Sequence, residues 1–160
     1  MMWTVAPERF DSPGATLLRR DYYTEVASRY WDRPATAEEI EDGLTDDGAE
    51  LLTPPTGQFL VGRHGKSAAG CAGLLVVDAE AGVVELTRVF VRREFRGTGG
   101  GGALLTAAEE RARALGMAQI RLDTRSDLVE ARGLYAKNGY REVPAFHRRQ
   151  YAEHWFAKEL

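Results

Sequence analysis

The sequence predicts a single-domain α/β protein whose mixed, mostly antiparallel sheet is flanked by helices. Three β-prone runs in the first half, Gln58–Arg63, Ala68–Val77 and Val83–Val91, are separated by short turns, which favours antiparallel pairing. In the second half the pattern changes to helix, strand and helix. A chain of 160 residues is long enough for one domain with a core and too short for two ordinary ones, so we assign residues 1–160 to one domain.

Helix starts in the sequence are marked by residues with known capping preferences. Ser12-Pro13 predicts a helix start, because serine caps an N-terminus and proline fits the first turn. Thr36 and Glu39 have the spacing of a capping box, which predicts a second, short helix. In chain order the assignments outside the three β-prone runs are strand Trp3–Arg9, a helix from Ser12 through Tyr30, helix Thr36–Leu44, loop Asp46–Gly57, helix Gly102–Leu115, strand Gln119–Arg125, helix Leu128–Asn138 and strand Tyr151–Lys158.

Composition and charge exclude several classes of protein. The net charge is −3, and the arginines alternate with acids instead of forming the clustered basic face of a nucleic-acid-binding protein. No apolar run approaches the ~20 residues that cross a bilayer, and the N-terminus lacks the apolar core of a secretory signal. The single cysteine, Cys71, cannot form an internal disulfide, and no histidine has metal-ligand spacing with it. We therefore predict a cytoplasmic protein that binds no metal, no nucleic acid and no membrane.

A glycine-rich turn stands between a β-prone segment and a helical one. It reads Arg96-Gly97-Thr98-Gly99-Gly100-Gly101-Gly102, with five glycines in seven positions. Glycine loses more backbone entropy on folding than other residues, so such a run indicates positive φ or close approach to a ligand. Successive N–H groups and the following helix N-terminus favour an anion, and a diphosphate uses several donors at once. With the guanidinium of Arg96 as a further donor, the pattern predicts a phosphate-binding turn, and a flexible loop is the alternative.

Two nucleotide-binding motifs match this turn poorly. A P-loop has lysine and then serine or threonine after its last glycine, whereas Ala103 follows here. Three glycines of the turn formally match the dinucleotide fingerprint G-x-G-x-x-G, and Asp123 lies about 20 residues downstream. However, the turn does not follow its strand directly, lies late in the chain and is preceded by predicted hairpins rather than βαβ units. A nicotinamide-linked oxidoreductase is therefore the weaker interpretation.

Two motifs stand on either side of one predicted helix and one predicted strand. The first is Val89-Phe90-Val91-Arg92-Arg93-Glu94-Phe95-Arg96-Gly97-Thr98-Gly99-Gly100-Gly101. The second is Ala131-Arg132-Gly133-Leu134-Tyr135-Ala136-Lys137-Asn138-Gly139-Tyr140. Together they resemble the GCN5-related N-acetyltransferase (GNAT) family, whose coenzyme A signature is R/Q-x-x-G-x-G/A after a strand and whose later motif is A-x-x-L-Y-x-K-x-G-F/Y. Many members carry asparagine three residues before the alanine of the later motif, where this chain has Leu128.

The resemblance implies a fold, a co-substrate and the residues that bind it. Acetyl-CoA would lie in a gap between two splayed parallel strands, Val83–Val91 and Gln119–Arg125. Main-chain groups of Phe90 and Val91 would pair with its pantetheine arm. Its pyrophosphate would be held by the residues of the turn, namely Arg96, Gly97, Thr98, Gly99, Gly100, Gly101 and Gly102.

Acetyl transfer to an amine needs a base, a polarised carbonyl and a proton for the departing thiolate. Glu85 is the candidate base, directly or through water, because a carboxylate within an apolar strand is expensive to bury without a reason. The alternative is that Glu85 is paired with an arginine elsewhere in the fold. Arg88 is not expected to be this partner, because alternation along the strand puts Glu85 and Arg88 on opposite faces. Asp123, on the neighbouring strand, is the weaker candidate for the base. A backbone N–H near Val91 would polarise the carbonyl. By resemblance, Tyr135 lies beside the sulfur as the candidate acid, with a core aromatic as the alternative interpretation.

No motif identifies the acceptor. We expect a primary amine of a small molecule, with a protein N-terminus or lysine as the alternative and a non-catalytic acyl-CoA sensor as a rival from another class. The lone cysteine, Cys71, lies in an apolar strand and is interpreted as a core residue rather than a nucleophile. The sequence leaves open whether the protein forms a homodimer.

Overall fold

A computed structural model describes residues 2–126, 129–149 and 151–160, and these residues form one mixed sheet with helices on both faces. In the sheet the strand order is β1-β2-β3-β4-β5-β7-β6. Every neighbouring pair is antiparallel except β4 and β5, which are parallel. The strands are β1 (Trp3–Pro7), β2 (Gly57–His64), β3 (Ser67–Asp78), β4 (Val83–Val91), β5 (Gln119–Thr124), β6 (Arg141–Val143) and β7 (His154–Glu159). The predicted α/β fold with its mostly antiparallel sheet is confirmed.

Helix starts agree with the predicted caps. The helices are α1 (Pro13–Trp31), α2 (Ala37–Asp46), α3 (Gly100–Ala114) and α4 (Val129–Lys137), with short 3₁₀ turns at Ala49–Leu51 and Arg93–Phe95. The Ser12 hydroxyl accepts the Ala15 N–H at 3.0 Å. Thr36 and Glu39 form both hydrogen bonds of the capping box, at 3.1 and 2.9 Å. Leu128, the predicted first residue of the last helix, lies outside the described residues.

Two apolar clusters lie on opposite faces of the sheet. On one face α3 packs against the sheet through Leu104 and Ala108, which contact the cluster that contains Val84 and Leu86. On the other face α1 packs through Leu18 against a cluster that includes Phe59, Cys71 and Phe90. Leu18 is fully buried, and burial of one leucine side chain is worth about 1.5–3 kcal/mol. The two helices therefore hold β4 between two packed layers.

Strands β4 and β5 separate after a short stretch of pairing. Val83–Glu85 pair with Gln119–Arg121, and β5 then continues to pair with β7 as far as Thr124. Within the described residues the later half of β4, from Leu86 to Val91, is therefore unpaired on its β5 side. The predicted pair of splayed parallel strands is confirmed.

A bulge in β4 lies at the point where the two strands separate. Between the pairs Cys71–Phe90 and Gly73–Thr87, β4 has one residue more than β3. Arg88, within this bulge, has a φ of 54°, a left-handed conformation that is uncommon outside glycine. An extra residue bends the bulged strand and redirects its side chains.

Because of the bulge, the expectation that Glu85 and Arg88 point to opposite faces of the sheet is wrong. Val84 and Leu86 belong to the cluster under α3, so Glu85 between them points to the α1 face. The Arg88 Nε lies 3.8 Å from Asp47 Oδ2, and Asp47 also binds an arginine of α1. Glu85 and Arg88 therefore lie on the same face, because simple alternation does not hold across a bulge.

Other differences from the predicted elements are local. The expected loop Asp46–Gly57 contains a 3₁₀ turn, the last strand begins at His154, and α3 begins inside the glycine run at Gly100. Strand β6 was not predicted, since its three residues are too few to show alternation and it is defined only by pairing with β7. Among the described helices none is both long and apolar enough to cross a bilayer.

Candidate active site

A cleft of about 680 Å³ opens where β4 and β5 separate. Its walls come from α1, the end of β4, the glycine-rich turn, the end of β5 and one face of α4. The lining residues from the sheet and turn are Val89, Phe90, Val91, Phe95, Arg96, Gly97, Gly99, Gly100, Gly101, Gly102, Asp123, Thr124 and Arg125. Most of the residues that the sequence predicted to bind the coenzyme therefore line one cavity.

The conformation of the turn accounts for its glycines. Gly97 and Gly99 have φ values of 77° and 93°, a region that glycine enters without strain. Gly100 is required by packing, since a Cβ would lie 2.3 Å from the Trp3 ring; at Gly101 it would lie 2.9 Å from a terminal methyl of Leu134, which can shift. The glycine run is therefore constrained both by backbone conformation and by packing.

The N-terminus of α3 faces the cleft without a side-chain cap. Its cap residue is Gly99, which makes no side-chain hydrogen bond, and the first turn carries no acid. The first N–H groups of a helix have no partner within the helix, and the helix dipole adds partial positive charge there. A Cβ at Gly102 would meet nothing within 4 Å. This end of α3 has the donors and the space to bind a phosphate group.

Thr98 holds the turn in place through its side chain. The Trp3 Nε1 donates to the Thr98 hydroxyl at 2.9 Å, and that hydroxyl donates to the Phe95 carbonyl at 2.5 Å. Thr98 is absent from the cleft lining, unlike its glycine neighbours. Any contribution of Thr98 to anion binding would therefore come from its backbone N–H.

Arg96 lines the cleft, and its guanidinium already contacts two other groups of the protein. Its Nε donates to the Val91 carbonyl at 3.0 Å, and one terminal nitrogen lies 2.5 Å from Glu25 Oε2. Glu25 belongs to α1, so this ion pair connects α1 to the glycine-rich turn across the mouth of the cleft.

The end of β4 presents backbone groups to the gap. The Arg92 N–H donates to the Ala69 carbonyl of β3 at 2.8 Å. Because successive residues of a strand point their N–H groups in opposite directions, the Val91 N–H points into the gap. The Phe90 ring turns towards α1 and packs against Tyr22, with the ring centres 6.1 Å apart.

Glu85 is buried, with 4% of its surface exposed, and has an arginine partner. Both of its carboxylate oxygens accept hydrogen bonds from Arg149, at 2.5 and 2.8 Å. This carboxylate raises the pKa of the Arg149 guanidinium above its ordinary value. The pair covers Glu85, which is absent from the cleft lining. The sequence analysis gave pairing with an arginine as the alternative to a catalytic role for Glu85, and in the structure Arg149 is such a partner.

Asp123, the rival base, lies in the cleft wall beside a histidine that the sequence did not indicate. His147 Nε2 lies 2.8 Å from Asp123 Oδ2, and the Arg149 N–H lies 3.2 Å from His147 Nδ1. These two bonds assign the proton of a neutral imidazole to Nε2. The segment between β6 and β7 thus brings His147 and Arg149 against Asp123 and Glu85. No periodicity or motif in that segment signals this contact.

Tyr135 is a buried aromatic next to the cleft wall. It is 6% exposed and its ring contacts those of Tyr140 and Phe156, with centre distances of 5.8 and 6.0 Å. Burial, with smaller contributions from Tyr22 and Asp123, raises the pKa of Tyr135 above its ordinary value. The phenol therefore keeps its proton at neutral and mildly alkaline pH. Its neighbours on α4, Ala131, Leu134 and Asn138, line the cleft.

Cys71 is a core residue. It is fully buried under α1, and burial raises the pKa of its thiol to about 12. Since the thiolate is the nucleophilic form, Cys71 is not poised for covalent catalysis. Within the described part of the chain no group of three or more histidine, cysteine and acidic side chains could hold a metal ion.

Fold and site together define a class of protein. The protein is an α/β protein with a mixed sheet whose two parallel strands splay apart, and an uncapped glycine-rich helix start lies at the gap. The sequence profile of the acetyltransferase (GNAT) family matches residues 16–140. The chain belongs to this family.

Similar proteins agree with this assignment. A relative from Azospirillum brasilense, IAA acetyltransferase, is 34% identical over 97 residues, which are 61% of this chain and 63% of that protein. The structure of PaiA N-acetyltransferase from Thermoplasma acidophilum, in complex with coenzyme A, has a TM-score of 0.76 at 17% identity and is matched over 100% of both chains. A GNAT family acetyltransferase from Elizabethkingia anophelis with acetyl-CoA bound has a TM-score of 0.65 at 18% identity, over 99% of this chain and 98% of that one. At such identities the two structures show a shared fold.

Proposed function

We propose that this protein is an N-acetyltransferase that moves the acetyl group of acetyl-CoA directly to a primary amine of a small molecule. The observation that carries the proposal is the uncapped glycine N-terminus of α3, which faces the cleft between β4 and β5. Membership of the acetyltransferase family supports acyl transfer as the reaction. Two proteins of similar fold hold coenzyme A or acetyl-CoA.

The cleft residues fit the parts of acetyl-CoA in order. The N–H groups from Gly97 to Gly102 would bind the pyrophosphate, and the free edge of β4 at Phe90 and Val91 would pair with the pantetheine arm. The Val91 N–H is a suitable donor to the thioester carbonyl, because a fixed donor stabilises the oxyanion that develops there. At Arg96 the pyrophosphate would compete with the Glu25 carboxylate.

Glu85 is the proposed base, with Arg149 as its resting partner. An alkyl amine is mostly protonated at neutral pH, so a base must help to free its lone pair. The Arg149 side chain is 51% exposed and belongs to the segment between β6 and β7, whereas Glu85 is fixed in the sheet. Arg149 can therefore turn outward and leave Glu85 to the acceptor or to a bridging water. Asp123, which already lines the cleft, is the second candidate for this role.

Tyr135 is the proposed acid for the departing thiolate. Its hydroxyl is protonated at neutral pH and can pass its proton to the departing sulfur. Because its pKa is raised, the phenolate that forms is a strong base and takes a proton back from water. Tyr135 follows Leu134 on α4, and Leu134 lines the cleft.

A small amine is the proposed acceptor. Asp123 in the cleft wall offers a negative charge to a cationic amine. The test is acetyl-CoA-dependent thiol release with a panel of amines, amino acids and peptides, with mass spectrometry of the products. Acetylated small amines are expected. Acetylation of peptides alone would assign a protein acceptor, and binding of acetyl-CoA without turnover of any acceptor would identify a sensor.

Tyr135→Phe should lower turnover by roughly tenfold or more without weakening acetyl-CoA binding. The ring and its packing remain, and the loss is limited because a thiol with a pKa near ~8.5 is already a fair leaving group. Steady-state kinetics and a calorimetric titration measure the two quantities. Since the pKa of Tyr135 is raised, the wild-type rate should not fall through loss of this proton at mildly alkaline pH. Unchanged turnover in the variant would restrict Tyr135 to a packing role.

A further inference from the structure

Two carboxylates and one guanidinium meet where β4 and β5 separate. Glu85 belongs to the last residue pair between the two strands, and Asp123 lies two residues beyond its partner Arg121 on β5. Arg149 is close to both acids, because its Nη1 lies 2.5 Å from Glu85 Oε1 and 4.0 Å from Asp123 Oδ2. Asp123 lines the cleft. This acid–arginine cluster of Glu85, Asp123 and Arg149 therefore extends to the cavity.

Glu85 needs a new cation whenever its arginine moves away. Its side chain is buried, and a buried carboxylate without a cationic partner is strongly destabilised. Arg149 binds both carboxylate oxygens, so it must move before Glu85 can contact an amine. An acceptor that enters as an ammonium replaces the departing cation, and alkyl amines are mostly in this form at neutral pH.

The same exchange leaves the guanidinium of Arg149 without its anion. Arginine stays protonated in proteins, and its planar fork of donors fits a carboxylate in a bidentate arrangement. The backbone of Arg149 is held beside the cleft, since its N–H donates to His147 Nδ1 at 3.2 Å and His147 Nε2 lies 2.8 Å from Asp123. The displaced guanidinium therefore stays within reach of a molecule bound at Glu85 and Asp123.

We propose that the acceptor is an α-amino acid, whose ammonium pairs with Glu85 and Asp123 and whose carboxylate pairs with Arg149. One carbon separates the two charged groups of such a molecule, which suits a cluster in which one guanidinium lies against both acids. The resting ion pair is then replaced by ion pairs between the protein and the substrate. This inference rests on the proposed function, because it takes Glu85 as the group that receives the amine.

Acetyl transfer returns the cluster to its resting state. The amine nitrogen forms a bond to the acetyl carbon, and the carbon–sulfur bond breaks. The ammonium loses two protons to Glu85 and water, the sulfur gains one through Tyr135, and one proton passes to the solvent in net terms. The N-acetyl product carries no cation for Glu85, so Arg149 pairs with Glu85 again and the product loses its charged contacts.

A comparison of two acceptors in several proteins tests the assignment. Common α-amino acids with a primary amine are assayed for acetyl-CoA-dependent thiol release, and the best of them is compared with its carboxamide, which lacks the carboxylate. The wild type should prefer the amino acid in kcat/KM. In Arg149→Gln the ratio of the two kcat/KM values should fall by about tenfold or more, as expected for a lost charge-assisted contact. Arg149→Lys should keep part of the preference.

Arg148→Gln is the matched control, because it removes an exposed arginine next in the chain and should leave the ratio unchanged. An equal loss for both acceptors in Arg149→Gln would overturn the assignment, since an arginine that only neutralises Glu85 acts on both alike. A wild type that acetylates other amines but no amino acid would also overturn it, while the proposed reaction would stand. Turnover of no acceptor at all would contradict the proposed function and this inference with it.

Discussion

Gly102→Val is expected to weaken acetyl-CoA binding strongly while the fold is retained. Gly102 lies in the first turn of α3 and lines the cleft, and a Cβ there meets nothing within 4 Å. Valine is a better helix former than glycine, so the free energy of unfolding should not decrease. A side chain at this point would fill the space next to the helix N–H groups. We expect a loss of affinity of roughly a hundredfold or more by calorimetric titration, with an unchanged melting temperature.

Gly133→Val is the matched control for this substitution. Gly133 is also helical, and a Cβ at its position likewise meets nothing within 4 Å, but it is exposed on α4 and absent from the cleft lining. Its affinity for acetyl-CoA should equal that of the wild type. Gly99 is less suitable for the test, because its φ of 93° would strain any other residue. Wild-type affinity in Gly102→Val would show that the ligand does not lie against this helix start.

Glu85→Gln is expected to slow acetyl transfer by roughly 10²-fold or more, within the range of general-base contributions. Glutamine keeps the shape of the side chain and one acceptor for Arg149, so the fold and the affinity for acetyl-CoA should be preserved. Arg149 is half-exposed, and water can solvate its guanidinium after the charge of Glu85 is removed. The loss should appear in kcat, with little change in the KM for acetyl-CoA.

Asp123→Asn distinguishes the two candidate bases. Asp123 is hydrogen-bonded to His147 and lies 4.0 Å from Arg149, so the substitution perturbs the same cluster but leaves the Glu85 carboxylate in place. It should lower kcat much less than Glu85→Gln does. The opposite pattern, with the larger loss of kcat in Asp123→Asn, would move the role of base to Asp123.

Local patterns in the sequence predicted much of this fold. Capping residues at Ser12 and Thr36, short turns between β-prone runs and the change to helix after the glycine run each act over a few residues. Strand Val83–Val91 and both caps were found as predicted. The glycine-rich turn could also be assigned, because five glycines in one turn have few structural explanations. The interpretation of this turn as a phosphate site stays a prediction.

Contacts between distant parts of the chain could not be predicted. The bulge at Arg88 depends on pairing with β3, and it decides which face the arginine occupies. Arg149 meets Glu85 across 64 residues of sequence, through a segment with no periodic pattern.

The most direct test of whether the cleft binds acetyl-CoA is an NMR titration. Amide proton–nitrogen correlation spectra of the isotope-labelled wild type are recorded as this ligand is added. The largest shifts are expected for the N–H groups of Val91 and of residues 97–102, with saturation at one ligand per chain. Residues of β1 that face away from the turn should change little. Large shifts confined to other parts of the sheet, or no saturable shift in the glycine-rich turn, would contradict binding of acetyl-CoA between β4 and β5.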